Sequence, residues 1–417
     1  MQLFAVIAGA LILAKWAAES WLSRLNRRHV QAHADAVPEA FKGVVDAPTY
    51  ARSVDYTLAG NQFGQWQDAW STVVLLAVLF TGVLPWAFKL SNVHLGNSAW
   101  AMAAYLFAVG TLLTLPGLPL NWWEQFRLEQ RFGFNTATQK TWWLDRLKGF
   151  LLALVLGYPL LVLILKIVEW TGAWWWLWAW GALMAFQLIM LVMAPVLIMP
   201  LFNKFTPLPD GSLRERLVKL ADRTRFRAQS IQVMDGSKRS KHSNAFFTGF
   251  GRLRKIVLFD TLIQQLAEVE LEAVLAHEIG HYKKKHILKL LTWSAVSSLA
   301  GFYAISVLAR QDWFYRAFGF EPGSITPALL LFGLLAGVVT FWLSPISNRW
   351  SRKYEYEADA YAAGVMQETT SLTGALRKLT EKNLSNLTPH PLYSAFYYSH
   401  PTLLERERAM AKVAVKG

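Results

Sequence analysis

The sequence predicts a mainly α-helical membrane protein that crosses the bilayer several times and carries a small α/β unit. Of its 417 residues, 54% are hydrophobic and only 17% are charged, whereas soluble domains carry about 25% charged residues. The apolar residues are gathered in long blocks, and one polar stretch between two blocks has helix-like and strand-like patterns. These observations place the chain in the membrane class.

Seven apolar segments are long enough to span a membrane, which requires about 20 residues for about 30 Å of hydrocarbon. A signal peptide is an alternative for the first segment, because Ala17 and Ala18 follow its apolar run. No lysine or arginine precedes Lys15, so an uncleaved anchor is favoured. The seven predicted spans lie at approximately 2–20, 69–90, 99–121, 149–170, 174–200, 287–309 and 326–346.

The basic residues indicate the orientation of these spans. Nearly all lysines and arginines fall in segments 19–68, 122–148, 201–286 and 347–417, which would share one face. By the positive-inside rule that face is cytoplasmic, together with the C-terminus. The formal net charge of +14 has the same explanation, and we expect no nucleic-acid partner.

The polar segment 201–286 has the pattern of an inserted α/β unit. A Gly-rich turn is predicted at 249–251, and a helix from about Ala267 is expected to continue into the sixth span. Glutamates early in that helix and lysines late in it suit the helix dipole. The other predicted elements are one helix and three strands, at 213–224, Ser230–Met234, 244–249 and Lys255–Phe259.

The helix that begins near Ala267 contains the H-E-x-x-H sequence 277–281. His277 and His281 lie at i and i+4, so both imidazoles can reach one metal ion. Glu278 lies about 100° around the helix, where it can act on a zinc-bound water without being a ligand. Zinc lowers the pKa of such a water to about 7, and Glu278 can take its proton during attack on a carbonyl. The alternative is a pair of histidines that only pack at a helix–membrane junction.

A third ligand must come from another part of the chain. The sequence has no cysteine, so only His, Asp or Glu can complete the site. The metzincin pattern fails, because it requires Gly and His where this chain has Lys284 and Ile287. His286 is nearby, but at i+9 from His277 it would turn to a different helical face, so we expect a structural role.

Three acidic residues after the seventh predicted span are the remaining candidates. Glu355 and Asp359 lie at i and i+4 of a predicted helical segment, with Glu357 between them. Either glutamate can complete a His₂Glu set, and Asp359 can accept the outer N–H of a ligand histidine and fix its tautomer. Spacing alone does not rank Glu355 above Glu357.

Several segments resemble blocks of the type I CAAX prenyl proteases, which are seven-span membrane zinc metalloendopeptidases of the gluzincin type. The resemblance includes an E-x-x-x-D segment whose first glutamate is the zinc ligand. It therefore implies Glu355 as the third ligand of one Zn²⁺ per chain, with Asp359 behind a ligand histidine. The blocks occur in family order and cover most of the chain: FRLEQRFGFN (126–135), KHSNAFFTG (241–249), IVLFDTL (256–262), HEIGH (277–281) and YSHPTLLER (398–406).

The same resemblance implies two further groups of site residues. Asn244, Ala245 and Phe246 would belong to an edge strand that holds an extended substrate by main-chain hydrogen bonds. His400 and Arg406 match residues that face the cleavage site, where N–H or cationic donors can stabilise an oxyanion. From the residues alone, Asn244 would be a turn residue, His400 would mark a helix start and Arg406 would be an ordinary helix charge.

The resemblance also implies an architecture, in which the spans form an α-barrel around a water-filled chamber. A small zincin-like α/β domain would cap this chamber on the cytoplasmic side. The expected division is spans one to five in 1–200, the protease domain with the H-E-x-x-H helix in 201–286, spans six and seven in 287–346, and the helical remainder of the protease domain, with the third zinc ligand, in 347–417.

The sequence therefore predicts a membrane zinc endopeptidase that acts on polypeptides, including lipidated or membrane-associated ones. Short loops and no obvious retention signal at 413–417 favour a bacterial inner-membrane protein, whose clients would be misfolded or jammed membrane proteins, while a prenylated CAAX-type peptide could still be cleaved. The alternative is a non-catalytic zinc-binding scaffold, although every catalytic position is intact. A transporter would carry more ionisable residues within its spans than Lys15, Lys89 and Lys166.

Overall fold

The computed structural model describes residues 2–226, 229–248 and 255–414. Its N-terminal half is helical, and short π-helical segments at Glu124–Glu129, Ala153–Gly157 and Ala194–Ile198 join successive helices without a break. The helices are α1 (Gln2–Ala32), α2 (Ala47–Phe80), α3 (Val83–Leu95), α4 (Ala99–Leu112), α5 (Leu118–Trp123), α6 (Gln130–Phe132), α7 (Gln139–Leu152), α8 (Tyr158–Thr171), α9 (Trp175–Met193) and α10 (Met199–Phe202).

Side-chain caps begin several of these helices. Asp46 accepts a hydrogen bond from the backbone N–H of Thr49 at 2.8 Å at the start of α2. Ser98 and Thr138 begin α4 and α7 in the same way. Such caps satisfy backbone donors that have no partner within the helix, so the local sequence fixes where these helices start.

Five helical stretches in the described chain are long and apolar enough to cross a membrane: Leu3–Ala32, Ala99–Phe132, Gln139–Phe202, His286–Leu308 and Ile325–Met366. The pair α2 and α3, bent by 54°, meets the same test as one unit and raises the number to six. The protein is therefore a multi-pass integral membrane protein. The number differs from the predicted seven because segments 149–170 and 174–200 both fall within the stretch Gln139–Phe202.

The outer surface of these helices is apolar, as lipid contact requires. Trp170, Trp86 and Val155 are 69%, 64% and 65% exposed. Exposed apolar surface of this extent is not typical of soluble monomers. Inward-facing residues such as Ile12, Leu79 and Leu331, in contrast, are buried in one core cluster.

The C-terminal half adds a four-stranded sheet and further helices. The strands are β1 (Phe205–Pro207), β2 (Ser230–Met234), β3 (Ala245–Thr248) and β4 (Lys255–Phe259). The helices are α11 (Ser212–Arg223), α12 (Asp260–Gln265), α13 (Glu268–Lys283), α14 (His286–Leu308), α15 (Asp312–Arg316), α16 (Ile325–Thr340), α17 (Ser344–Met366), α18 (Thr370–Lys382), α19 (Pro391–Tyr397) and α20 (Leu403–Ala414).

The strand order is β1-β2-β4-β3, with β2 and β4 parallel and the two edge strands antiparallel to their neighbours. The central strand β4 is buried through Ile256, Val257 and Leu258. The sequence predicted β2 and β4 at their observed positions and β3 one residue too long at its start, but it did not predict β1. The predicted Gly-rich turn at 249–251 lies outside the described residues.

The helix predicted to run from Ala267 into the sixth span is interrupted. α13 ends at Lys283, Lys285 adopts a left-handed conformation with φ of 58°, and α14 begins at His286. The expectation of one continuous helix was wrong. The sequence did not indicate the break, because no glycine or proline marks it. Because of this break, the i+9 spacing along one helix no longer determines the direction of His286 relative to His277.

The helices α13 and α17 approach each other closely at Gly280. A Cβ atom at this position would lie 3.0 Å from both the Cα and the carbonyl oxygen of Ala358. Only glycine avoids this contact without a shift of one backbone. The approach places the acidic residues of α17 against the histidines of α13.

Candidate metal centre

Two imidazoles and one carboxylate converge between α13 and α17. The Nε2 atoms of His277 and His281 lie 3.1 Å apart. Glu355 Oε2 lies 3.5 Å from His277 Nε2, and Glu355 Oε1 lies 3.3 Å from His281 Nε2. Within the described chain this is the one group of three metal-binding side chains, with ligand atoms within 4.8 Å of one another.

The donors of this group fit a zinc ion. Glu355 is buried, and its Oε2 atom has no hydrogen-bond partner among the described residues. An orphaned buried carboxylate oxygen is costly unless a cation or donor satisfies it. Two histidines and one glutamate are a known ligand set of catalytic zinc, which leaves a fourth position open. Glu357, the other candidate of the sequence, points to different partners.

A buried chain of contacts lies behind His277. Its Nδ1 atom donates to Asp359 Oδ1 at 2.8 Å, which leaves Nε2 free to bind a metal. Arg406 binds Asp359 through two nitrogens, Nε at 2.8 Å and Nη2 at 2.5 Å. Burial alone would lower the pKa of His277, but its contacts with the carboxylates of Asp359 and Glu355 raise this pKa to about 9.

Glu278 lies beside the three candidate ligands. Burial raises the pKa of its carboxyl group, whereas the charges of His277, His281 and Arg406 lower it. A carboxyl pKa above its ordinary value makes the carboxylate a stronger base. This electrostatic environment suits a group that takes up and returns a proton during catalysis.

His286 is a site residue that the sequence analysis assigned to a structural role. Its Nδ1 lies 3.0 Å from His281 Nδ1, and its Nε2 lies 3.0 Å from Glu357 Oε2. His286 is 2% exposed, and its ring stacks on Tyr354 with centroids 4.3 Å apart. The expectation of a different helical face was wrong because the chain breaks at Lys285, and no local pattern signals this break.

The structure brings both C-terminal candidates to the centre. His400 is exposed and its Nε2 lies 3.4 Å from Glu355 Oε1. Arg406 is buried, with Nη1 at 3.6 Å from Glu355 Oε2 and Nη2 at 3.3 Å from His277 Nδ1. His400 therefore faces open space beside the ligand, whereas Arg406 contacts the side chains behind it.

The predicted substrate strand is the edge strand β3. Ala245 and Phe246 pair with Leu258 and Val257 of β4, so the opposite side of β3 carries no strand in the described chain. Asn244 precedes the strand, is exposed, and accepts a hydrogen bond from the backbone N–H of Ala245 at 2.8 Å. This local bond fits the turn role that the residues alone suggested for Asn244.

An H-E-x-x-H helix that finds a glutamate on a second helix is the arrangement of zinc peptidases. Here that arrangement occurs in a chain with several membrane-spanning helices, which defines the class as a membrane zinc metalloprotease. The family model for the CAAX prenyl protease N-terminal region, with five membrane helices, matches residues 26–204. The model for peptidase family M48 matches residues 207–414. The chain belongs to the CAAX prenyl proteases of peptidase family M48.

Individual relatives support this assignment over almost the whole chain. The CAAX prenyl protease 1 homolog of Arabidopsis thaliana is 37% identical and covers 90% of both chains. CAAX prenyl protease 1 of Saccharomyces cerevisiae is 35% identical over 99% of this chain and 96% of its own. The crystal structure of S. mikatae Ste24p superposes with a TM-score of 0.90 and 34% identity, covering 97% of this chain and 98% of that one.

Proposed function

We propose that this membrane zinc metalloprotease hydrolyses peptide bonds with zinc held by His277, His281 and Glu355 and with Glu278 as the general base. The convergence of the three ligand atoms within 4.8 Å carries the proposal. The bound ion would supply Lewis-acid activation of water and of the substrate carbonyl. Glu278 accepts the proton of the attacking water and delivers it to the leaving amine.

The remaining site residues support these steps. Asp359 accepts the Nδ1–H of His277 and so keeps Nε2 directed to the ion. His400, exposed beside Glu355, presents an imidazole N–H to the oxyanion that develops on the carbonyl. Arg406 was predicted for the same oxyanion role, but its contacts favour a positioning role in which it holds Asp359.

The substrate lies along the free edge of β3 as an added strand. Main-chain hydrogen bonds from Asn244, Ala245 and Phe246 would hold an extended polypeptide without regard to its sequence. Support comes from the edge position of β3. Ala245 also shares a buried core with Leu275 and Ile279 of the H-E-x-x-H helix.

We further propose seven spans, as the sequence predicted, which form an α-barrel around a chamber, as the family resemblance implied. Gly172, with φ of +52°, separates α8 from α9, and Ile164 and Trp175 of these two helices share one core cluster. This packing supports two antiparallel spans within Gln139–Phe202. In this division residues 1–200 hold spans one to five and 287–346 hold spans six and seven.

Residues 201–286 and 347–417 would form one zincin-like protease domain. A shared buried core that includes Leu258, Leu271, Leu372 and Met410 supports this grouping. The excess of lysine and arginine supports a cytoplasmic position for the domain and the C-terminus, with the bacterial inner membrane as the proposed location.

The proposed substrates are membrane-associated polypeptides. The relatives are named CAAX prenyl proteases, which supports a prenylated C-terminal peptide as one substrate class. In a bacterial membrane, misfolded membrane proteins would take this place. A non-catalytic scaffold is not favoured, because the chain matches a peptidase family and keeps Glu278 together with all three candidate ligands.

Comparison of wild type with Glu278→Gln tests the proposed mechanism. The variant keeps the shape of the side chain, so we expect normal zinc content and peptide cleavage slower by about 10²–10⁴-fold. Glu272→Gln on the same helix is the matched control, because Glu272 pairs with Arg216 rather than with the metal centre. A Glu278→Gln protein that retains zinc and cleaves at the wild-type rate would disprove the general-base role.

A further inference from the structure

A cavity of about 390 Å³ lies between α1, α2, the π-helical segment Glu124–Glu129 and the C-terminal residues 383–398. Its size is in the range of about 300–1,000 Å³ that is typical of ligand pockets. Four carboxylates line it, from Glu19, Asp68, Glu124 and Glu129, and no lysine or arginine is among its described lining residues. An acidic cavity contrasts with the net charge of +14 of the whole chain.

Glu19 supplies an independent sign that a ligand is missing. Its Oε1 atom is paired with Lys15 Nζ at 2.6 Å. Its Oε2 atom is buried and has no hydrogen-bond partner among the described residues, and the whole residue is 8% exposed. A buried carboxylate oxygen without a donor costs free energy, which a cationic ligand in the cavity would recover.

Tyrosine side chains stand beside these carboxylates. Tyr393 and Tyr397 line the cavity and have ring centroids 4.8 Å apart, and Tyr398 lies on the same wall. Burial raises the pKa of the Tyr397 hydroxyl, and the nearby carboxylates of Glu19 and Asp68 raise it further. Aromatic faces next to carboxylates favour an organic cation, such as an ammonium or guanidinium group, over an inorganic ion.

The cavity adjoins both parts of the proposed active site. Glu129 in its wall lies 3.3 Å from His242 Nε2, and His242 is two residues before Asn244 at the start of β3. Tyr398 is two residues before His400, a separation of at most about 7 Å of extended chain. The wall of the cavity therefore lies close to the residues that lead into β3 and, along the chain, within two residues of His400.

We propose that this cavity is a specificity subsite that binds a lysine or arginine side chain of the polypeptide substrate, close to the cleaved bond. The proposal rests on the proposed peptidase function. Asp68 is the informative wall residue, because it lines the cavity without the lysine partner that Glu19 has.

The test uses full-length, zinc-loaded protein and internally quenched peptides of uncharged sequence. One lysine is placed at successive positions on either side of the cleaved bond, and each peptide has a glutamine counterpart. At one position we expect lysine to raise kcat/KM about tenfold over glutamine, mainly through a lower KM, as an ion pair with cation–π contact would. Asp68→Asn should remove this preference, and Asp68→Lys should transfer it to a peptide with glutamate at that position.

Asp55→Asn is the matched control, because Asp55 is exposed on the same helix and does not line the cavity. Zinc content verifies that each variant is folded, and Glu19→Gln replaces Asp68→Asn if the latter does not fold. Equal kcat/KM for lysine and glutamine peptides at every position would overturn the subsite. A preference for lysine that persists in both Asp68→Asn and Glu19→Gln would also overturn it. If added alkylammonium ions raise the cleavage rate of glutamine peptides to that of lysine peptides, the subsite would also be overturned. The cavity would then bind a soluble cation rather than a side chain of the substrate. If wild type cleaves none of the peptides, the peptidase proposal itself fails.

Discussion

His281 and His286 face each other through their Nδ1 atoms at 3.0 Å. Only one of these two atoms carries a hydrogen in a neutral pair. If His281 binds zinc through Nε2 as proposed, its Nδ1 carries the hydrogen and donates it to His286. His286 then carries its own hydrogen on Nε2 and donates to Glu357 Oε2 at 3.0 Å. In the proposed zinc-bound site, Glu357 would therefore set the tautomer of His281 through His286.

Removal of His286 should weaken zinc binding. In His286→Ala the Nδ1–H of His281 loses its buried acceptor, so we expect zinc affinity to fall about 10–100-fold, as for other groups behind metal ligands. Competition with a chromophoric chelator measures this affinity without reference to activity. His286→Asn should restore part of it, because the amide oxygen can accept from His281. His94→Ala, at an exposed histidine, serves as the control, and equal affinity of His286→Ala and wild type would refute the relay.

Substitution of the two neighbouring glutamates of α17 should give unequal results. Glu355→Gln removes the negative charge of a carboxylate whose Oε1 lies 3.3 Å from His281 Nε2, so zinc retention should fall sharply. Glu357→Gln changes a residue that contacts His286 and Lys289, and its effect should be smaller. Metal analysis after dialysis against chelator compares the two variants. Retention of zinc by Glu355→Gln together with its loss in Glu357→Gln would exchange the two roles.

Glu355 and Glu357 show which features of the site can be predicted from the sequence. The i, i+4 spacing of His277 and His281 is a local property of one helix, so it was visible in the sequence alone. The choice of Glu355 over Glu357 depends on how α17 is rotated against α13, and only the family blocks indicated it. The packing at Gly280 that sets this rotation is a contact between distant segments, which periodicity does not report.

Two other features could not be predicted from the sequence, for related reasons. The break between α13 and α14 occurs at Lys285, which adopts a left-handed conformation with φ of 58° although it is not a glycine. This conformation is uncommon for a lysine. Its consequence, the contact of His286 with His281, was therefore missed. The strand β1 has three residues, and its pairing with β2 rather than its own pattern defines it.

The contact of His242 with Glu129 should make stability depend on pH. The hydrogen bond with Glu129 raises the pKa of His242, although burial opposes this. A raised pKa means that the folded state binds the proton more tightly than the unfolded state. The stabilisation is therefore fully present below the ordinary histidine pKa of about 6.5 and is lost as pH rises through the higher folded-state value.

The midpoint of thermal unfolding of wild type and His242→Gln, measured from pH 5.5 to pH 9, tests this dependence. The wild type should be more stable than His242→Gln at the acidic end, and this difference in unfolding midpoint should shrink as pH rises. In a Glu129→Gln background the pH-dependent part of the difference should disappear, because the anionic partner is gone. A difference that grows with pH would contradict the sign of the shift.

Gly280→Ala should disturb the metal centre through the backbone. The added Cβ would lie 3.0 Å from the Cα and carbonyl oxygen of Ala358, and a helix backbone yields less readily than a side chain. We expect α17 to move away from α13 by a few tenths of an ångström, so that Glu355 binds the ion less well and zinc affinity falls. Chelator competition measures this loss.

Gly364→Ala on α17 is the matched control for this substitution. Gly364 has no atom within 4 Å of the added Cβ and is exposed within the helix. Alanine is more favourable than glycine there by about 0.5–1 kcal/mol, so Gly364→Ala should raise the free energy of unfolding and leave zinc affinity unchanged. If Gly280→Ala behaves like Gly364→Ala in both measurements, the close approach of the two helices does not determine the geometry of the site.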